Sequence, residues 1–185
     1  MPVTSAGLIV HRRGADGREV LIAHMGGPFW ARKDAGSWTF PKGEFNPAEE
    51  EAADAARREF REELGLAPPA GPMVALPPIT ASRKVLRFFA VEADLDVTNP
   101  VFGEFEMEWP PRSGERRSFP EVDRAAWVPV AEARDLRVSG PRSTRSCTRS
   151  AKTGDAMYTL SEIWHAASRA IAPCVYTGDV GWEAA

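Results

Sequence analysis

Three glutamates, Glu59, Glu62 and Glu63, follow one another at spacings i, i+3 and i+4. At about 100° of rotation per residue, a helix would place their carboxylates within an arc of about 100° on one face. Like charges that close repel, and a divalent cation would turn the repulsion into attraction. Hard carboxylate oxygens suit Mg²⁺ or Mn²⁺. The alternative is a solvated acidic face whose glutamates pair with nearby arginines.

A helix is the element that must position these glutamates. Nearly every residue from 47 to 64 is a good helix former. Asn46 or Pro47 supplies a start signal, and Gly65 supplies the stop. We therefore predict one helix over residues 47–64.

The segment 40–66, which reads FPKGEFNPAEEEAADAARREFREELGL, resembles the Nudix box. That box reads Gly, five residues, Glu, seven residues, then Arg-Glu-apolar-x-Glu-Glu-x-Gly-apolar, and residues 58–66 match its end. One extra residue stands between Gly43 and Arg58. An insertion inside the helix would rotate everything after it, so we place the insertion in the loop 44–48. Glu50 then takes the first glutamate position, with Glu49 as the alternative.

The resemblance implies a Nudix-type α/β/α sandwich and hydrolysis of a nucleoside diphosphate linked to another group. Its catalytic residues would be Glu59, Glu62 and Glu63, which hold Mg²⁺ or Mn²⁺, together with Arg58, which orients the glutamates. By the same resemblance, Gly43 brings the backbone close to the metal. One of the three carboxylates would take the proton of the attacking water, and the spacing does not say which.

A carboxylate from outside the box is also expected, because three clustered glutamates occupy only one side of a cation and a chain of phosphates needs more than one Mg²⁺. We expect Glu121 in this role. The alternative is the row Glu104, Glu106 and Glu108, which alternates with apolar residues as in a strand. A solvated sheet face would explain that row equally well.

Four residues are candidate substrate contacts: Trp30, Lys42, Glu106 and Arg112. Trp30 lies in the glycine-rich linker 25–37, where it could stack on a base or plug the core. Arg112 lies in a turn-rich loop, 110–120, whose arginines could meet phosphates or keep the loop soluble. Similarity of residues 26–30 and 109–114 to MutT-like proteins favours a nucleoside triphosphate or dinucleoside polyphosphate as substrate.

The remaining elements place the box in an α/β domain with a mixed sheet between helices. The predicted strands are 6–10 and 20–24, joined as a hairpin, then 38–40, 73–80, 84–93 and a strand around Trp127 that leads into a short helix at 130–134.

Composition fits one soluble domain. The chain has 185 residues and a net charge of −3, which gives no electrostatic case for nucleic-acid or membrane partners. Cys147 and Cys174 cannot form a disulfide framework, and no zinc motif is present. No apolar run is long enough to span a membrane and no targeting signal begins the chain, so we expect a cytoplasmic protein.

The resemblance covers about residues 4–137, so we assign 1–137 to the Nudix domain and 138–185 to a C-terminal extension. The extension reads as a basic linker followed by a helix at 157–171, which either packs on the domain or forms a homodimer contact. Two other functions share the fold: a nucleotide-binding or regulatory domain without turnover, and an isoprenyl diphosphate isomerase. The isomerase would need a catalytic cysteine near the site, and both cysteines lie in the extension.

Overall fold

The computed structural model describes residues 2–34, 36–81 and 84–135. Their elements in chain order are β1 Val3–Gly14, β2 Gly17–Met25, β3 Trp38–Thr39, β4 Lys42–Glu44, α1 Ala52–Leu64, β5 Val74–Ala75, β6 Ile79–Ala81, β7 Lys84–Glu92, β8 Glu104–Glu108, β9 Arg116–Pro120, β10 Val122–Pro129 and α2 Val130–Asp135.

The main sheet runs in the order β10, β2, β1, β7, β5, with β3 on β2, β4 on β1 and β6 on β7. Strands β1 and β7 are parallel and the other pairs are antiparallel, so the sheet is mixed. The predicted first hairpin is confirmed, with Gly14 paired to Gly17. The length of β1 lets its first half pair with β4 and its second half with β2.

Alternation along the central strands builds a core on each face of the sheet. Leu8 of β1 packs with Phe60 and Leu64 of α1 on one face. Ile9, the next residue of β1, packs on the opposite face in the core that includes Ala133 of α2. All the large side chains among these are fully buried, which supplies the main driving force for docking α1. The prediction of a mixed sheet between helices is confirmed.

Helix α1 is shorter than predicted. Residues 47–50 form a separate turn, in which the N–H groups of Glu49 and Glu50 donate to the Asn46 carbonyl and Asn46 Oδ1 accepts from Ala48 N–H. Glu51 is extended, with φ −72° and ψ 141°, so the helix begins only at Ala52. Asn and Pro favour a capped turn as much as a helix start, and propensity alone does not distinguish them. The predicted stop is confirmed, because Gly65 has φ 64° and donates its N–H to Arg61 O.

Two other boundaries differ from the prediction. The strand predicted at 73–80 is divided into β5 and β6 around Pro77 and Pro78, whose ring nitrogens cannot donate to a ladder. The loop predicted at 110–120 ends at Glu115, because Arg116–Pro120 forms β9 and pairs with β8 in a two-stranded sheet of its own.

The predicted linker, the helix at 157–171 and the domain boundary at 137 lie outside the described residues. In the part of the chain that is described, no helix is long and apolar enough to cross a membrane.

Candidate active site

The last two turns of α1 carry Arg58, Glu59, Glu62 and Glu63. Burial of Phe60 and Leu64, four residues apart, fixes the rotation of the helix against the sheet. This rotation turns Glu63 toward β4, where the Lys42 N–H donates to Glu63 Oε2 at 3.4 Å.

Gly43 lies directly beneath the Glu59 carboxylate. A Cβ atom at position 43 would overlap the carboxylate carbon and both its oxygens. Glycine is therefore required sterically for Glu59 to occupy its observed position, whereas the φ of this residue is not in the left-handed region.

Arg58 joins three glutamates. Its Nε and Nη2 donate to Glu50 at 3.1 and 3.0 Å, and its Nη1 donates to Glu59 at 2.6 Å and to Glu62 at 2.9 Å. The bonds to Glu50, and then those to Glu59 and Glu62, raise the pKa of Arg58. Arg58 thus contacts the carboxylates themselves, including Glu50, the residue that we assigned to the first glutamate position of the box.

Negative charge is crowded at this junction. Burial raises the pKa of Glu63 to about 8, with Lys42 opposing the shift and Glu121 and Glu59 adding to it. Burial also raises the pKa of Glu59, against the lowering effect of Arg58. In both residues burial disfavours the charged form, and the neighbouring carboxylates add to the rise of the pKa.

Glu121, the residue between β9 and β10, lies at the same junction of α1 and β4 as these glutamates. Its N–H donates to Gly103 O at 2.8 Å, and Gly103 N–H donates to Glu63 O at 3.2 Å. Glu121 is partly open to solvent. The protein atoms around its carboxylate still remove enough water to raise its pKa, and the charge of Glu62 adds to the shift. Four glutamates from two parts of the chain therefore influence one another electrostatically.

The row of strand glutamates is engaged within the β8–β9 hairpin. Glu106 pairs with Arg116 at 3.2 Å, Glu104 accepts from Ser118 Oγ at 2.7 Å, and Glu108 accepts from Gly114 N–H at 2.9 Å. All three are exposed.

The donor set fits Mg²⁺ or Mn²⁺, because it consists of carboxylate oxygens with an excess of negative charge. Among residues 2–34, 36–81 and 84–135, no three acidic, histidine or cysteine side chains already surround a single point as metal ligands would. Arg58 holds one oxygen each of Glu59 and Glu62. The second oxygen of each carboxylate makes no bond to Arg58, so Arg58 can orient these glutamates while that oxygen binds a cation.

A model of the NUDIX domain matches residues 1–147, most of the chain. The chain belongs to the NUDIX domain family. No curated protein matches it significantly.

Solved structures with the Nudix fold resemble the chain at low sequence identity. The NUDIX domain of Shewanella oneidensis NrtR, solved in complex with ADP ribose, is 14% identical with a TM-score of 0.50, over 75% of this chain and 79% of that one. A Caenorhabditis elegans Ap4A hydrolase is 18% identical with a TM-score of 0.49, over 92% and 98%. A MutT/nudix family protein of Enterococcus faecalis is 18% identical with a TM-score of 0.49, over 69% of this chain but only 43% of that longer one. At these identities the likeness shows the fold alone.

The candidate substrate contacts of this Nudix chain lie in different places. Lys42 is at the site, where its charge acts on Glu63 and Glu121. Trp30 is partly buried in the neighbouring loop, with Lys33 Nζ 4.5 Å from its ring centroid. Glu106 and Arg112 are exposed on the hairpin, and Arg112 has φ 68°.

Sequence reasoning missed the part that Gly103 plays. A Cβ atom there would lie 2.5 Å from Glu62 O and 3.4 Å from Glu121 Oε2, so only glycine lets the hairpin root approach α1 this closely. The available signal was a glycine immediately before an alternating strand, which is typical of close backbone approach.

Proposed function

We propose that this Nudix protein is a hydrolase dependent on Mg²⁺ or Mn²⁺ that cleaves a phosphoanhydride bond in a nucleoside diphosphate linked to another group. A nucleoside triphosphate or dinucleoside polyphosphate is the favoured substrate. The observation that carries the proposal is the meeting of Glu59, Glu62, Glu63 and Glu121 at the junction of α1, β4 and β10, where burial raises the pKa of three of the four.

The residues that would hold the cation are Glu59, Glu62, Glu63 and Glu121, with Gly43 leaving room for the Glu59 carboxylate. Bound there, the cation would neutralise phosphate charge and lower the pKa of a coordinated water. Arg58 positions the glutamates through its fixed, planar fork of donors. Lys42 supplies positive charge beside the phosphates, and one box glutamate accepts a proton from the attacking water.

Glu121 is favoured over the strand row as the ligand from outside the box. Its charge acts on Glu59 and Glu63, whereas Glu104, Glu106 and Glu108 are occupied within the hairpin. Comparison of Glu121→Gln with Glu104→Gln tests this choice. We expect turnover to fall at least 10-fold in Glu121→Gln and to remain near the wild-type rate in Glu104→Gln. The reverse ranking would move the ligand to the row.

The test of the proposal as a whole is a substrate panel. Nucleoside triphosphates, diadenosine tetraphosphate, nucleotide sugars and ADP-ribose would be incubated with Mg²⁺, with Mn²⁺ and with a chelator, and products identified by mass to show which bond breaks. Turnover that requires the cation supports the proposal. Absence of turnover on the whole panel with both cations would overturn it.

A second candidate is a nucleotide-binding or regulatory domain without turnover. The likeness in fold to the NrtR NUDIX domain, which was solved with ADP ribose, supports binding without turnover as this second candidate. Calorimetric binding of a nucleotide without any product would support this second function. Retention of all three glutamates at the end of the box favours the hydrolase.

A further inference from the structure

An aromatic cluster joins the loop that follows β2, described over residues 26–34, to the β8–β9 hairpin. It consists of Phe29 from the loop and Phe105, Trp109 and Phe119 from the hairpin. The Phe29 and Trp109 rings meet edge to face, with centroids 5.2 Å apart and an interplanar angle of 88°. Trp109 in turn contacts Phe119 at 6.3 Å, and Phe119 contacts Phe105 at 6.3 Å.

The aromatic cluster is tied to the carboxylate site by short stretches of chain. Phe119 precedes Glu121 by two residues, a separation of about 7 Å along an extended chain. On the loop side, the Gly26 N–H donates to Glu121 O at 2.8 Å, three residues before Phe29. Three residues of chain span at most about 11 Å, so the base of a nucleotide whose phosphates met the glutamates could reach Phe29.

Phe29 is held in place yet left open to solvent. It is 51% exposed, and within the described ranges 2–34, 36–81 and 84–135 it is the single aromatic residue among the exposed large hydrophobic side chains. Its backbone is fixed by Gly27, which has φ 80° and lies so close to the hairpin that an added Cβ would be 3.1 Å from Phe105 Cζ. An aromatic ring with two rotatable bonds, already oriented by Trp109, loses little conformational entropy when a ligand binds.

We propose that Phe29, oriented by Trp109, is the stacking surface for the nucleobase of the substrate, and that the subsite prefers purines. This inference rests on the proposed function, since it assigns the base of the same nucleotide whose phosphates would meet the glutamates. Stacking accepts any base because every base has a π face, and preference follows the strength of stacking, which is greater for purines.

The test separates the base from the rest of the nucleotide. Dissociation constants of AMP, GMP and CMP would be compared with that of ribose 5-phosphate, which has the same sugar and phosphate without the base. Binding would be measured by calorimetry on the wild type, on Phe29→Leu and on the matched control Phe29→Tyr. Leucine keeps apolar bulk without a planar face, whereas tyrosine keeps the face.

We expect the wild type to bind AMP and GMP more tightly than CMP and ribose 5-phosphate. Phe29→Leu should weaken AMP binding about 5- to 30-fold while leaving ribose 5-phosphate unchanged, and Phe29→Tyr should bind AMP within about 2-fold of the wild type. Equal weakening of AMP and ribose 5-phosphate, an unchanged AMP affinity, or a wild type without preference for any nucleotide over ribose 5-phosphate would overturn the subsite. Base-dependent binding without hydrolysis would leave the subsite standing and refute only the hydrolase.

Discussion

His24, which is fully buried, lies with its Nδ1 2.6 Å from the Asp123 carboxylate, and this contact joins β2 to β10. Its Nε2 donates to the Lys33 carbonyl at 2.6 Å, since a carbonyl can only accept. One side chain therefore fastens the end of β2, the start of β10 and the loop that carries Phe29.

Replacing His24 with alanine should lower the free energy of unfolding by about 2–3 kcal/mol, because a buried hydrogen-bonded ring is lost, the Lys33 carbonyl loses its partner and Asp123 keeps only its ion pair with Arg124 at 3.5 Å. Urea denaturation measures the change. Glu132→Gln, a substitution on the exposed face of α2, is the control and should stay within about 0.5 kcal/mol of the wild type. Equal stability of the two variants would show that the buried bonds contribute little.

Glu62→Gln and Glu63→Gln should each reduce turnover at least about 100-fold with the fold intact, because a charge that would hold the cation is removed. The two variants should differ in metal-free stability. Glu63 carries a desolvated carboxylate whose pKa is raised to about 8, so its neutralisation should not destabilise the protein. Thermal melts with and without Mg²⁺ check this, and the cation should stabilise the wild type more than either variant. Wild-type rates in both would place the site elsewhere.

Gly43→Ala should impair turnover more than stability. The added Cβ meets the flexible end of Glu59, which can turn away, so the free energy of unfolding should change by less than about 1 kcal/mol while the carboxylate leaves its position. Gly71→Ala is a matched control, because its Cβ would make only ordinary contacts, the nearest at 3.4 Å to Val91. We expect rates at least 10-fold lower for Gly43→Ala than for Gly71→Ala. Equal rates would mean that Glu59 does not need its observed position.

His11 should make the protein less stable as the pH falls. Burial, and then the charge of Arg18, lower the pKa of His11 from its ordinary value of 6.5, while Glu92 opposes the shift. The unfolded chain therefore binds a proton more readily than the folded one, and stability is lost as the pH drops below about 6.5. His11→Gln should lose less stability than the wild type between pH 7.5 and pH 5.5 in urea titrations. Parallel pH profiles for the two proteins would contradict this.

Truncation after Arg137 should leave the proposed metal site competent, because the residues proposed to build it end at Glu121 and the last described helix ends at Asp135. The family match extends to residue 147, so a second truncation after Cys147 is the informative comparison. We expect both proteins to bind Mg²⁺ and to turn over substrate within a few-fold of the full chain, as measured on the best nucleotide of the panel. A folded, monomeric truncation after Arg137 that is inactive beside an active longer one would assign residues 138–147 to the domain.

Short sequence patterns predicted the turns and strand alternation of this fold, but not every element boundary or strand pairing. The stop at Gly65 and the first hairpin follow from glycine and alternation, whereas the start of α1 does not, because Asn46 caps a turn that Glu51 interrupts. The period of two predicted β8 but not its partner, since a strand alternates in the same way whether it pairs in the main sheet or in a hairpin of its own.

The candidate site was likewise predicted only where local sequence spacing determines it. The spacing of Glu59, Glu62 and Glu63 predicted one helix face, and the structure adds the electrostatic influence of Glu121 upon it. The role of each residue in catalysis stays a prediction. A glycine before an alternating strand marks Gly103 as a point of close backbone approach, but no local pattern names α1 as its partner or pairs Phe29 with Trp109, because these segments are far apart in the chain.

Gly103 links the β8–β9 hairpin to the carboxylate site through its backbone. Its N–H donates to the Glu63 carbonyl at the end of α1, and its carbonyl accepts from the Glu121 N–H at the other root of the hairpin. Both roots of the hairpin are therefore fixed beside the glutamates. Tilting the hairpin would therefore displace the Glu121 carboxylate by the same motion. Under the proposed function, a substitution at Gly103 should therefore alter substrate selection and catalysis together.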